Sequence, residues 1–250
     1  MVPFDLFKSP TVIGANLATL LIYGALSVVL FFVVLDLQQI VGLSASLAGL
    51  ALLPTIVIIT VLTGPFGAQA DRLGARGPMT VGALLDTAGI FWLAIAVPGT
   101  NYWKDVLPGL MLFGLGMAVL IAPLTKSALA VPASHAGAAS GVNNAIARVA
   151  GLLSVAILGA VALNVFSSSL QTNLTTYGIE GDTKTAILDQ RAKLAAIEIP
   201  ANVPSSTADL IHQLVARSFT SSYQVVLGLA ALMTAGGALA SFQLVRDDRA

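Results

Sequence analysis

The chain has 250 residues, of which 56% are hydrophobic and 10% charged, and its mean hydropathy is +0.89. A soluble domain carries about 25% charged residues, so a globule this poor in charge has a surface made for lipid. Twelve basic and twelve acidic side chains cancel, which argues against a nucleic-acid partner, and the lack of cysteine excludes disulfides, thiolate metal sites and cysteine nucleophiles.

Residues 1–11 do not read as a secretory signal: Asp5 precedes Lys8, and the apolar run after Pro10 is too long for a cleaved segment. Six apolar runs follow, at Val12–Leu35, Leu43–Ala68, Pro78–Pro98, Val106–Val131, Gly137–Phe166 and Tyr223–Leu244. Each is near the roughly 20 residues a helix needs to cross about 30 Å of hydrocarbon. Unbroken Leu/Val/Ala runs lack the two-residue alternation of barrel strands, so the expected fold is an all-α membrane protein of six transmembrane helices. Pro54 and Pro123 are expected to kink their spans. Glycines at Gly109/Gly114/Gly116, Gly137/Gly141 and Gly151/Gly159 are expected to let helices approach closely.

The connections are short except residues 167–222, whose scattered charges require a long loop outside the membrane. Within it, Leu210, Leu214, Val215 and Phe219 fall on one face of an amphipathic helix over Thr207–Phe219. Lys8, Arg72, Arg76, Lys126, Arg246 and Arg249 gather on one side, and Lys104 alone marks the short loops of the other. By the positive-inside rule both termini are cytoplasmic and the long loop is external, in a cell (inner) membrane. His135 and His212 lie far apart without companions at ligand spacing, so no metal is expected. No phosphate loop, triad or carboxylate pair appears, and Ser44 and Ser46 lack a base; no enzyme and no cofactor are expected.

The segment from Gly67 through Asp71, Arg72 and Gly74 to Arg76 resembles the G-x-x-x-D-R-x-G-x-R loop of the major facilitator superfamily. Charge counting independently puts it on the cytoplasmic side, between spans two and three, where that superfamily carries it. Leu35 to Gln39, Gly42 to Ser44, Ala48 to Leu50, Leu52 to Pro54, and Ala136 to Gly141 with Asn144, Arg148 and Gly151 are similar to the fourteen-span drug:proton antiporters (EmrB/QacA type). The resemblance is to their C-terminal six helices, and it implies half a transporter built as two inverted three-helix repeats. It implies proton-coupled export of small hydrophobic or amphipathic compounds, with a partner six-helix domain or a second copy completing the carrier; the competing readings are a truncated membrane fragment that transports nothing and a homodimeric small-solute carrier. Asp71, Arg72 and Arg76, with tight turns at Gly67 and Gly74, would then form a gating latch; the competing reading takes Arg72 and Arg76 as positive-inside topology signals alone.

Asp86 lies about 12 Å into the third span and reads as a proton site or half of a buried ion pair. The peripheral place of this span in the superfamily favours a structural role. Arg148 has two readings. Either it is near mid-membrane, paired with Asp86 or Asp36 or with helix-end carbonyls, or it is an interfacial anchor. Lys126 reads as a snorkelling residue. Asn16, Thr19, Tyr23 and Ser27 share one face of the first span, the span that lines the superfamily's cavity. Asn16 and Tyr23 would contact substrate with Phe113 and Met117 as an adaptable apolar wall; the competing role is hydrogen bonding between helices.

Overall fold

The computed structural model describes residues 9–96 and 101–247; Lys8, Pro98 and Arg249, used in the reading above, lie outside them. Regular structure in the described residues is helical. Helix α1 spans Pro10–Gln39, α2 Ala45–Leu50, α3 Leu53–Leu73 and α4 Arg76–Ile95. A π-helical turn over Tyr102–Val106 leads into α5, Leu107–Ala128; α6 spans Ala136–Thr176, α7 Gly181–Leu188 and α8 Ser205–Leu244. Sequence explains several boundaries. The Ser44 hydroxyl accepts from Leu47 N–H and caps α2, and Asn101 caps the π-helical turn. Pro10, Pro54 and Pro108 fall in first turns, where a missing N–H breaks no bond. Pro54 therefore starts α3 after a break at Ala51–Leu52, whereas Pro123 and Pro65 lie inside α5 and α3.

Six helical stretches among the described residues are long and apolar enough to cross a membrane, matching the six expected runs. Helix α4 packs on α5 and α8, α1 packs on α8 and α6, and α3 packs on α5. Exchanging the first three spans for the last three reproduces these pairings: α3 on α5 becomes α6 on α1, and α4 on α5 becomes α8 on α1. Three crossings is an odd number, so the second set runs opposite to the first, as inverted repeats require.

Residues 167–222 differ from the loop expected of them. Helix α6 has 41 residues and α8 has 40, about 60 Å each at 1.5 Å per residue, twice the hydrocarbon thickness. Both project far beyond the membrane, and the expected amphipathic helix is the first part of α8. Leu170 and Leu174 on α6 and Ile211, Leu214, Val215 and Phe219 on α8 are buried, together with Ile179, Ile187 and Ile197 between them. This cap projects from one end of the bundle, where Gln39 at the end of α1 accepts a hydrogen bond from Ala195 N–H.

The tightest seam lies between α4 and α5. A methyl group on Gly82 would come within 2.7 Å of Gly116 O, and one on Gly89 within 2.6 Å of Phe113 N. Gly109, Gly114, Gly116 and Gly151 are likewise at close contacts, but Gly137, Gly141 and Gly159 meet nothing within 4 Å. The last three lie on the open side of α6, so their spacing reflects no packing within this bundle.

Candidate functional site

At the end of the bundle opposite the cap, α3 continues through Gly67, Asp71 and Arg72, leaving only Gly74 and Ala75 between α3 and α4. Gly74 has φ +88°, a backbone conformation that favours glycine. The Asp247 carboxylate occupies the space a side chain there would fill. Its Oδ1 accepts from Arg76 N–H at 3.0 Å, at the first residue of α4, where helix N–H groups are unpaired and favour an anion. The Arg76 guanidinium stacks 4.3 Å over the Phe242 ring of α8, and Arg246 N–H donates to Thr11 at the start of α1. The tail after α8 thus ties the α3–α4 turn to both α1 and α8.

Asp71 pairs with Lys126 of α5 at 2.5 Å, with both side chains more than half exposed; such a pair contributes about 0–1 kcal/mol. Lys126, exposed in the last turn of α5, is therefore also an ion-pair partner. Gly67 lies where α3 crosses α5, a methyl there reaching 3.0 Å from Ala122 Cβ; its smallness serves a helix crossing, not a turn. Arg72 is exposed in the last turn of α3, with no ion-pair partner among the described residues. These groups surround an open cleft of about 1040 Å³ lined by Asp71, Arg72, Lys126, Arg246 and Asp247 and floored by Gly64 and Gly67. Sequence reading missed Asp247: the tail drew notice for its basic residues, and nothing local marks an acid that acts on a turn 171 residues away.

The intramembrane charges do not meet. Asp86 is fully buried on α4 against α5, where Gly116 leaves room for its carboxyl. Neither oxygen has a hydrogen-bond partner; the Met117 amide approaches without meeting hydrogen-bond geometry. Asp36 is 1% exposed near the cap end of α1, with Oδ1 unpartnered and Tyr223 of α8 within electrostatic range. Arg148 is exposed on α6 and pairs with neither acid.

The polar stripe of α1 divides. Thr19 Oγ1 lies 2.9 Å from Asn143 Oδ1 of α6, a hydrogen bond between helices. The Asn16 amide donates to Val12 O, leaving its own carbonyl oxygen buried and unpartnered. Ser27 Oγ donates to Tyr23 O and lies against Gly151 of α6. Tyr23 is half-buried. Phe113 and Met117 are 0% and 1% exposed. A side chain enclosed within one six-helix body cannot line a cavity between two, so these two are core rather than wall.

No protein-family model matches the chain. It is 29% identical to the tetracenomycin C resistance and export protein of Streptomyces glaucescens, over all of this chain and 47% of that one. It is 28% identical to the cephamycin export protein CmcT of Amycolatopsis lactamdurans, over 85% of this chain and 44% of that one. With the multidrug resistance protein Stp of Mycobacterium tuberculosis it shares 32% identity over 61% of its length and 28% of the relative's. Two of these are named as export proteins, and a further relative from Mycobacterium tuberculosis, 26% identical over 99% of this chain and 42% of that one, is named a transporter of the major facilitator (MFS) type. The sequence resemblance thus agrees with a bundle whose six spans have the pairing of one half of that fold. The chain spans about half, or less, of the length of the curated relatives it matches.

Proposed function

We propose that this chain is the transmembrane half of an exporter that moves hydrophobic or amphipathic compounds outward by alternating access, coupled to protons. The observation that carries the reading is the unequal covering of its spans. Only 11% of the most apolar stretch of Ala45–Leu73 is buried, and 28% of that of Ala133–Thr176, against 44% to 56% for the other four spans. Helices α3 and α6 hold equivalent places in the exchange of the two repeats, and their open faces suit a second six-helix body. That body is another domain or a second copy of this chain, and rocking against it exposes the space between the two to either side.

The α3–α4 turn is the latch in this reading. Asp71–Lys126 and Asp247–Arg76 hold one arrangement of the turn, and Arg72, without an ion-pair partner among the described residues, is available to the other body. The loop end faces the cytoplasm, with both termini, and the cap faces outward. Reconstitution tests this: the chain alone, and the chain with the N-terminal portion of its tetracenomycin relative, are placed in liposomes and given a fluorescent amphipathic dye under an imposed pH gradient. Gradient-driven flux in the combined vesicles, or from the chain alone as a homodimer, is expected. Correctly inserted protein giving flux in neither would overturn the proposal.

A further inference from the structure

Helix α6 carries a guanidinium that the bundle does not use. Arg148 is exposed and makes no ion pair or hydrogen bond with the described residues. Ala150, about 200° further round the helix, is 2% exposed and marks the side facing the core. Arg148 therefore points away from the core, about 18 Å along α6 from its first residue. Asn144, one turn earlier, and Leu152, one turn later and 75% exposed, lie on the same open face.

The contacts between α1 and α6 fix the height of this arginine. Thr19 meets Asn143, and Ser27 meets Gly151. Tyr23 lies midway between the two α1 positions and Arg148 one residue past the midpoint of the two α6 positions, so both sit near one level along the α1–α6 seam. Facing hydrocarbon alone, a guanidinium at depth is costly; an anion or water removes that cost. Its planar fork binds a carboxylate, sulfonate or phosphate through two parallel hydrogen bonds. Leu152, one turn on and exposed on the same face, adds apolar surface beside it, and half-buried Tyr23 lies near the same level on α1.

We propose that Arg148 and Tyr23 form a binding site for amphipathic anions, the anionic head on the guanidinium and the apolar body along Leu152. As a substrate site it rests on the export reading above; as a binding site it stands without it. An anionic lipid head-group presents the same chemistry as a soluble amphipathic anion, and the experiment separates these sources.

The full chain in nanodiscs of phosphatidylcholine is titrated with 11-(dansylamino)undecanoate and with its uncharged methyl ester, empty discs serving as blanks. Arg148→Ala is expected to weaken the carboxylate probe about ten-fold or more, the size of a lost charge-assisted hydrogen bond, and to leave the ester unchanged. Arg148→Lys should lose less and Tyr23→Phe about three-fold. Repeating the titration with phosphatidylglycerol in the disc identifies the source. Competition that disappears in Arg148→Ala shows a lipid head-group on the same site, and absence of competition shows a site selective for the soluble anion. Equal weakening of acid and ester by Arg148→Ala, or no weakening of the acid, would overturn the proposal. A chain that binds the acid through Arg148 yet gives no flux would keep this site and reject the export reading.

Discussion

Asp247 is the residue on which the α3–α4 turn depends most directly. Its carboxylate sits over Gly74 and receives the Arg76 amide, so it completes the first turn of α4 from outside. The native chain has no cysteine, which makes single-cysteine labelling clean. In an Ala75→Cys background, Asp247→Ala should raise the rate of maleimide labelling about five-fold, the effect of roughly 1 kcal/mol. Asp247→Asn keeps an acceptor oxygen and should raise it less. Gly74→Ala should loosen the same contact by a second route, because a Cβ at φ +88°, ψ 166° costs about 1–3 kcal/mol and enters the carboxylate's place. Unchanged labelling in Asp247→Ala would show that the tail does not hold the turn. Here the sequence was half legible. The glycines and charges of the turn announce themselves by spacing, but Lys126 and Asp247 are 55 and 171 residues from their partners, and no local pattern joins them.

Among the elements, α4 and α5 form the seam least able to adjust. At Gly82 and Gly89 an added methyl meets backbone atoms of the other helix, which cannot swing aside as a side chain does. Gly89→Ala should therefore cost about 1–3 kcal/mol, read as the midpoint shift in sodium dodecyl sulfate unfolding. Gly159→Ala, in open space on α6, should stay within about 0.5 kcal/mol. Equal shifts from the two substitutions would mean that the helices are not in backbone contact. The spans were legible because hydrophobic runs of about 20 residues admit few other structures. The projecting parts of α6 and α8 were less so, since Leu170, Leu174, Ile211 and Phe219 are diluted among serine, threonine and asparagine. Glycine spacing by itself did not distinguish the buried seam from the open face of α6: only the partner helix decides whether a small residue is needed.

For the whole molecule, the decisive asymmetry is between its two ends. One end bears Arg72, Arg76, Lys126 and Arg246 on or beside short connections, and the other bears the folded cap with only Lys104 in its short connections. Orientation in a membrane follows basic residues in short connections and is nearly blind to long segments, which cross regardless of charge. The mixed charges of residues 180–198 therefore do not compete with the four cations at the loop end. The packing adds a second constraint, because six crossings return the chain to its starting side: Thr11 of α1 and Arg246 after α8 touch, so both ends of the described chain lie with the α3–α4 turn. In intact cells, Leu73→Cys should resist a membrane-impermeant maleimide until the membrane is opened, whereas Asp182→Cys, exposed on the cap, should react at once. Reversal of that pattern would place the basic turn outside and the cap inside, and would overturn the orientation on which the proposed export reading rests.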